Sequence, residues 1–199
     1  MDVALLVLRL VAGLLFIGHG LQKLLPPRLS PPLLHAHGPR AAAAGFSRLG
    51  LEPALPLALL TGATEVAGGF LIASGLLTPL GTALLAAVMT VAILTVHLHN
   101  GIWSAEGGFE LNLVLLTSVF VVSALGPGRL SIDAWAGIDA WAGIDDWAGV
   151  RWASSDAVRA GVAVGIGAAA GLLTLALAHL ARAARRARHV PSTSPRRAT

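Results

Sequence analysis

Five apolar runs of about 20 residues, separated by helix breakers, constrain this chain more than any other feature of its sequence. They extend from Val3 to Leu25, Ala54 to Leu77, Pro79 to His99, Phe109 to Leu125 and Ala157 to Ala181. At about 1.5 Å per residue, each is long enough for a hydrocarbon core of about 30 Å, although the fourth, at 17 residues, is marginal. Pro26-Pro27, Pro31-Pro32, Pro53, the Thr78-Pro79 step, Gly107-Gly108 and Gly126-Pro127-Gly128 fall between the runs, where the chain must turn. Only 12% of the 199 residues are charged, against about 25% in an ordinary soluble domain. Neither a soluble enzyme nor a disordered chain fits that composition. It predicts an all-α integral membrane four-helix bundle plus a fifth C-terminal transmembrane helix, with a very tight second-to-third turn. The first run reads as a retained helix: Met1-Asp2 carries no positive charge cluster and no small-x-small site closes the run.

The expected organisation is a four-helix membrane domain over 1–133, a Trp/Asp hexad loop over 131–156, a fifth span over 157–181 and a basic, disordered tail over 182–199. Lys23, Arg28, Arg40 and Arg48 lie in or beside the first loop, and six arginines lie in the tail. Five spans put both regions on one side, so the positive-inside rule predicts a cytoplasmic C-terminus and an outer N-terminus. The net charge of +4 therefore reads as topology, with the tail at anionic headgroups, rather than as nucleic-acid binding. The outer loop repeats Ile-Asp-Ala-Trp-Ala-Gly from Ile132 and Ile138, and Ile-Asp-Asp-Trp-Ala-Gly from Ile144. An extended chain would place Asp133, Trp135, Asp139, Trp141, Asp145 and Trp147 on one face, as a calcium or docking ribbon. A tolerated expansion with its tryptophans at headgroup level is the preferred reading, because three copies are too few for a solenoid and no EF-hand spacing is present.

Polar residues inside the spans are costly in lipid and call for a partner or a function. His19, Gln22 and Lys23 share one face of the first helix, Glu65 sits about halfway along the second, and the third ends in His97, His99 and Asn100. Glu110 and Asn112 open the fourth. In an up-down bundle all of these gather in one half of the membrane, and Arg9 enters from the other. Rise per residue places Glu65 about 16 Å and His19 about 9 Å from the inner boundary, with Arg9 about 9 Å above Glu65. Glu65 thus has two candidate partners. A buried Arg9–Glu65 pair would only fix packing, whereas a carboxylate beside His19 suits a quinone pocket or proton path. His97 and His99 diverge by about 200° on a helix, so no metal site is assigned there. Gly161-x-x-x-Gly165 and Gly167-x-x-x-Gly171 in the last span offer a close-packing face to another helix. The chain has no Cys, which removes thiolate chemistry, Cys-ligated zinc and iron–sulfur ligation.

Leu8-Arg9-Leu10 with Gly18-His19-Gly20-Leu21-Gln22-Lys23-Leu24, Glu65-Val66-Ala67-Gly68-Gly69, and Gly126-Pro127-Gly128-Arg129 with Ser131 and Asp133 together resemble the DoxX family of small bacterial four-helix membrane proteins. The resemblance covers about residues 1 to 133. It implies a bacterial cell-membrane partner of redox systems, including thiosulfate:quinone oxidoreductase subunits and oxidative-stress complexes. The long Pro- and His-containing first loop, the hexads and the fifth helix depart from the family pattern. Two functions stay open. In one, the chain is a quinone-interacting subunit in which His19 or Lys23 hydrogen-bonds a carbonyl, Glu65 moves the proton, and Gln22, His97, Glu110 and Asn112 complete the pocket. In the other it is a non-catalytic anchor or scaffold. The bilayer, redox-enzyme subunits, a noncovalent quinone and a second copy of the chain are the expected partners.

Overall fold

The computed structural model describes residues 1–138 and 156–188, and among them the chain is helical with no strand. Helix α1 spans Asp2–Leu24, α2 Gly38–Arg48, α3 Ala54–Ser74, α4 Thr78–Ala92, α5 Glu110–Leu125, α6 Ile132–Ala136 and α7 Asp156–Arg188. A π turn at Ile93–His97 and a 3-10 turn at Leu98–Asn100 prolong α4. Four helices are long and apolar enough to cross a membrane, namely α1, α3, α4 with its extension, and α7; the apolar α5 is shorter. Their outer faces carry Val7, Val11, Leu14, Leu113, Leu172 and Leu177 exposed, as helices dissolved in lipid require.

Helices α1 and α3 pack together along most of their length. Their glycines set that distance: a Cβ on Gly13 would lie 2.5 Å from the Gly69 carbonyl oxygen, and one on Gly20 2.6 Å from that of Gly62. Without a hydrophobic drive between helices in lipid, close backbone approach supplies the attraction through van der Waals contact. Gly75, in the left-handed region at φ 66°, ends α3, and Leu77 hands the chain straight into α4, giving the tight turn expected there. Ala12, Phe16, Ile72, Leu85, Met89, Leu115 and Val119 fill the space between α1, α3, α4 and α5 with a dry layer. Helix α7 lies against α4 and α5. Gly167 presses on the Ala83 carbonyl and a Cβ on Gly171 would lie 2.7 Å from that of Ala87, so half of the expected glycine face is used within the chain. Gly161 and Gly165 meet nothing within 4 Å.

The first loop carries a helix not read from the sequence: α2 has Pro39 in its first turn and runs through four alanines, which are strong helix formers. Two expectations change. The helix of the last span does not stop at Ala181. It continues through Arg188, where Ala, Leu and Arg keep helix propensity high and Arg185 approaches Glu52 at 3.6 Å. The first hexad is a helical turn, not an extended ribbon, so Asp133 is buried while Trp135 is 88% exposed on another side. Its Ser131 hydroxyl caps the turn by accepting from the Ala134 amide. The rest of the repeat, with Asp139, Trp141, Asp145 and Trp147, and the tail beyond Arg188 lie outside the described residues.

The same short helix straps the end of the bundle where α3 turns into α4. Asp133 accepts from the Leu77 amide at 3.1 Å and its own amide donates to the Gly75 carbonyl at 3.1 Å. Arg9, fully buried, donates to the Leu130 carbonyl, and the Arg129 amide donates to Asp2 at 3.1 Å. Only glycine fits at position 75, where any Cβ would strike the Arg9 guanidinium.

Candidate functional site

At the opposite end from that strap, α1, α3, α4 and α5 diverge around a cavity of 390 Å³, in the range of about 300–1,000 Å³ usual for small-molecule sites. Helix α2 and the turn after it close the cavity from below through Phe46, Leu49 and Leu51. His19, Lys23, Glu65, His97 and Asn112 line it together.

Glu65 is 4% exposed and accepts a hydrogen bond and ion pair from Lys23 Nζ at 2.6 Å. The ammonium donates a second hydrogen bond to the His19 carbonyl at 3.1 Å, which leaves its third N–H. The expected Arg9–Glu65 pair does not form. The glycine contacts set Glu65 roughly level with Ile17, so Arg9 lies about 12 Å away along the axis and Lys23 about 9 Å. Direction decides the rest. Helical side chains lean toward their own N-terminus, so Arg9 on α1 and Glu65 on the antiparallel α3 lean apart, while Lys23 and Glu65 lean toward each other.

His97 donates from Nδ1 to the Gly107 carbonyl at 2.8 Å, which fixes the orientation of the ring. The π turn carries that ring over the cavity, whereas His99 is exposed. Asn112, buried, places its amide 3.4 Å from the Met89 sulfur. Two expected pocket residues serve loops instead. Gln22 Nε2 donates to the Leu34 carbonyl at 2.9 Å and its backbone carbonyl accepts from the His37 amide at 3.0 Å, so it pins the first loop, while its side-chain oxygen lies 3.3 Å from His19 Nδ1. Glu110 accepts from the Ser104 amide at 3.0 Å and shapes the turn before α5. The lining adds Phe46, Thr61, Thr95 and Ser104, which sequence reasoning did not single out. Ala42, Phe46 and Leu49 at helical spacing were the available signal for α2's inward face.

The site is therefore an apolar chamber with four convergent polar functions: a buried carboxylate, an ammonium with a free donor and two histidines. That set can hydrogen-bond a carbonyl-bearing ring and exchange protons with it. No group of three His, Asp or Glu suited to a metal occurs among the described residues.

Residues 4–98 match the family model described as DoxX. An uncharacterized membrane protein of Mycobacterium tuberculosis is 29% identical over 137 residues, which is 63% of this chain and 77% of that protein. No solved structure matches the chain. The family match takes in α1 to α4 and thus His19, Lys23, Glu65 and His97, while α5, α6 and α7 lie beyond it.

Proposed function

From the premise that this chain is a multi-pass membrane protein with a DoxX domain at residues 4–98, we propose that it is the quinone-interacting membrane subunit of a redox complex. One observation carries the reading: the Lys23–Glu65 pair faces a 390 Å³ cavity instead of being sealed in packing. A pair kept only for architecture would have its remaining donors and acceptors closed off by neighbours. Here Lys23, His19 and His97 line a space large enough for a ring. The chamber fits a quinone by its donor set and its apolar wall; when bound, the quinone supplies two-electron, two-proton redox chemistry. Lys23 or His19 then donates to one carbonyl. Glu65, paired with Lys23, would accept or deliver one of the two protons at a ring oxygen, the other being exchanged with water at the part-exposed Lys23, and Asn112 with the dry layer above it would keep bulk water from the outer side away. Electrons come from a partner subunit, since the chain has no Cys to carry a thiol or iron–sulfur centre. The reaction served belongs to oxidative-stress defence or sulfur-compound oxidation.

Protein purified from native membranes should retain quinone on organic extraction and copurify with soluble redox enzymes. The exposed Gly161 and Gly165 favour a second reading, a scaffold that docks partners through α7. Copurification without retained quinone would select it. The positive-inside distribution supports a cavity end on the cytoplasmic side of a bacterial cell membrane. Reporter fusions near Arg40 and Arg186 should both be cytoplasmic, and one near Trp135 outside; a Trp135 reporter on the Arg186 side would reverse that assignment.

A further inference from the structure

A second space adjoins the polar chamber. It is a slot between α3, α4 and α7, lined by Leu57, Leu60, Thr64, Gly171, Thr174 and Ala178 among others, with a volume of 70 Å³. Phe46, Leu51, Thr61, Val88 and Val91 line both spaces, so one layer of side chains is all that lies between them. Leu60, on the rim, is 58% exposed on the lipid side of α3, which opens the slot to the bilayer. A cavity of about 150 Å³ takes a benzene ring. The slot is far narrower than the chamber, and its walls are mostly apolar apart from three threonines, so it offers a hydrocarbon chain a surface to lie along and a polar ring few partners. The chamber, in contrast, has room for a ring and carries all the polar groups.

We propose that this slot takes the apolar tail of the ligand whose ring lies in the chamber, and that α7 is therefore the specificity element selecting a prenyl-tailed ligand over a free ring. The inference rests on the quinone reading of the chamber. It assigns a role to a helix that lies outside the family match. Gly171 lets α7 come close enough to α4 to form the wall: its Cβ would lie 2.7 Å from the Ala87 carbonyl. Thr174 and Ala178 follow it along the same face. Thr174 satisfies its hydroxyl on the Ala170 carbonyl at 2.9 Å and so presents only its methyl to the slot.

The test uses the full chain in lipid nanodiscs and a menaquinone bearing a photoreactive group on the tail near the ring. Labelling should fall on α7 between Thr174 and Ala178 and should be suppressed by menadione, the same ring without a tail. Label on α1 or α5 that menadione still suppresses would overturn the slot and leave the quinone chamber standing. Label that menadione cannot displace, or no label at all, would overturn the quinone reading and the slot with it. Thr174→Trp should weaken menaquinone binding about tenfold or more and leave menadione within about twofold, while Thr174→Val binds both as wild type does. Equal loss of both ligands in Thr174→Trp, with α-helical content intact, would count against the slot.

Discussion

Gly69→Leu should prevent the folded protein from accumulating in membranes, or lower its stability by more than about 3 kcal/mol, the upper end of ordinary overpacking. A Cβ at position 69 already lies 2.6 Å from the Gly13 carbonyl oxygen and 3.0 Å from the Ile17 amide nitrogen, and backbone cannot rotate away. The helices would have to separate, which also pulls Lys23 from Glu65. Gly161→Leu is the matched control, because it adds the same side chain to a helical glycine with nothing within 4 Å. Thermal unfolding in detergent, read by the loss of monodisperse protein, should separate the two variants. Equal stability of Gly69→Leu and Gly161→Leu would show that α1 and α3 do not approach as described.

The spans were legible because lipid imposes a length and an apolarity that a sequence states directly. The convergence of His19, Lys23, Glu65, His97 and Asn112 at one end followed from antiparallel topology alone. The pairing within that end did not, since depth arithmetic gives a height and takes no account of the direction in which a side chain leans. That omission made Arg9 a candidate for Glu65 and passed over Lys23. The α1–α3 seam was hidden for another reason. Gly13 and Gly20 are seven residues apart, as are Gly62 and Gly69, so neither pair carries the four-residue spacing recognised in α7. Asp133 read as one of a row of repeat aspartates, yet its position is set by the Gly75–Leu77 turn far away in sequence. Helix α2 was short and weakly apolar, and a loop rich in Pro and His masked its Ala42, Phe46, Leu49 stripe.

Glu65→Gln should insert, fold and lose most of the quinone-linked turnover of the native complex. The amide oxygen can still accept from Lys23 Nζ, now at 2.6 Å from the carboxylate, so the shape of the chamber and one hydrogen bond survive while the proton-carrying group is gone. Loss of a positioned acid–base group costs about 10²–10⁴ in rate, and a fall of that order is expected here. Lys23→Met should behave differently. It leaves a carboxylate that is 4% exposed without its cation, and breaking a buried pair by removing one partner costs about 3–5 kcal/mol. The value should fall toward the lower limit, because the Lys23 side chain is 21% exposed and water can follow it in. Replacing both residues, Lys23→Met with Glu65→Leu, removes both desolvated charges at once and should restore stability to about that of wild type without restoring turnover. His19→Ala should keep the fold and lower turnover. Thermal stability in detergent and quinone reduction by the reconstituted complex are to be measured on the same preparations, so that a folding defect is never read as a chemical one. Wild-type turnover in Glu65→Gln would end the proton-transfer role and leave the pair as the strut that joins α1 to α3, with the chain acting as a scaffold.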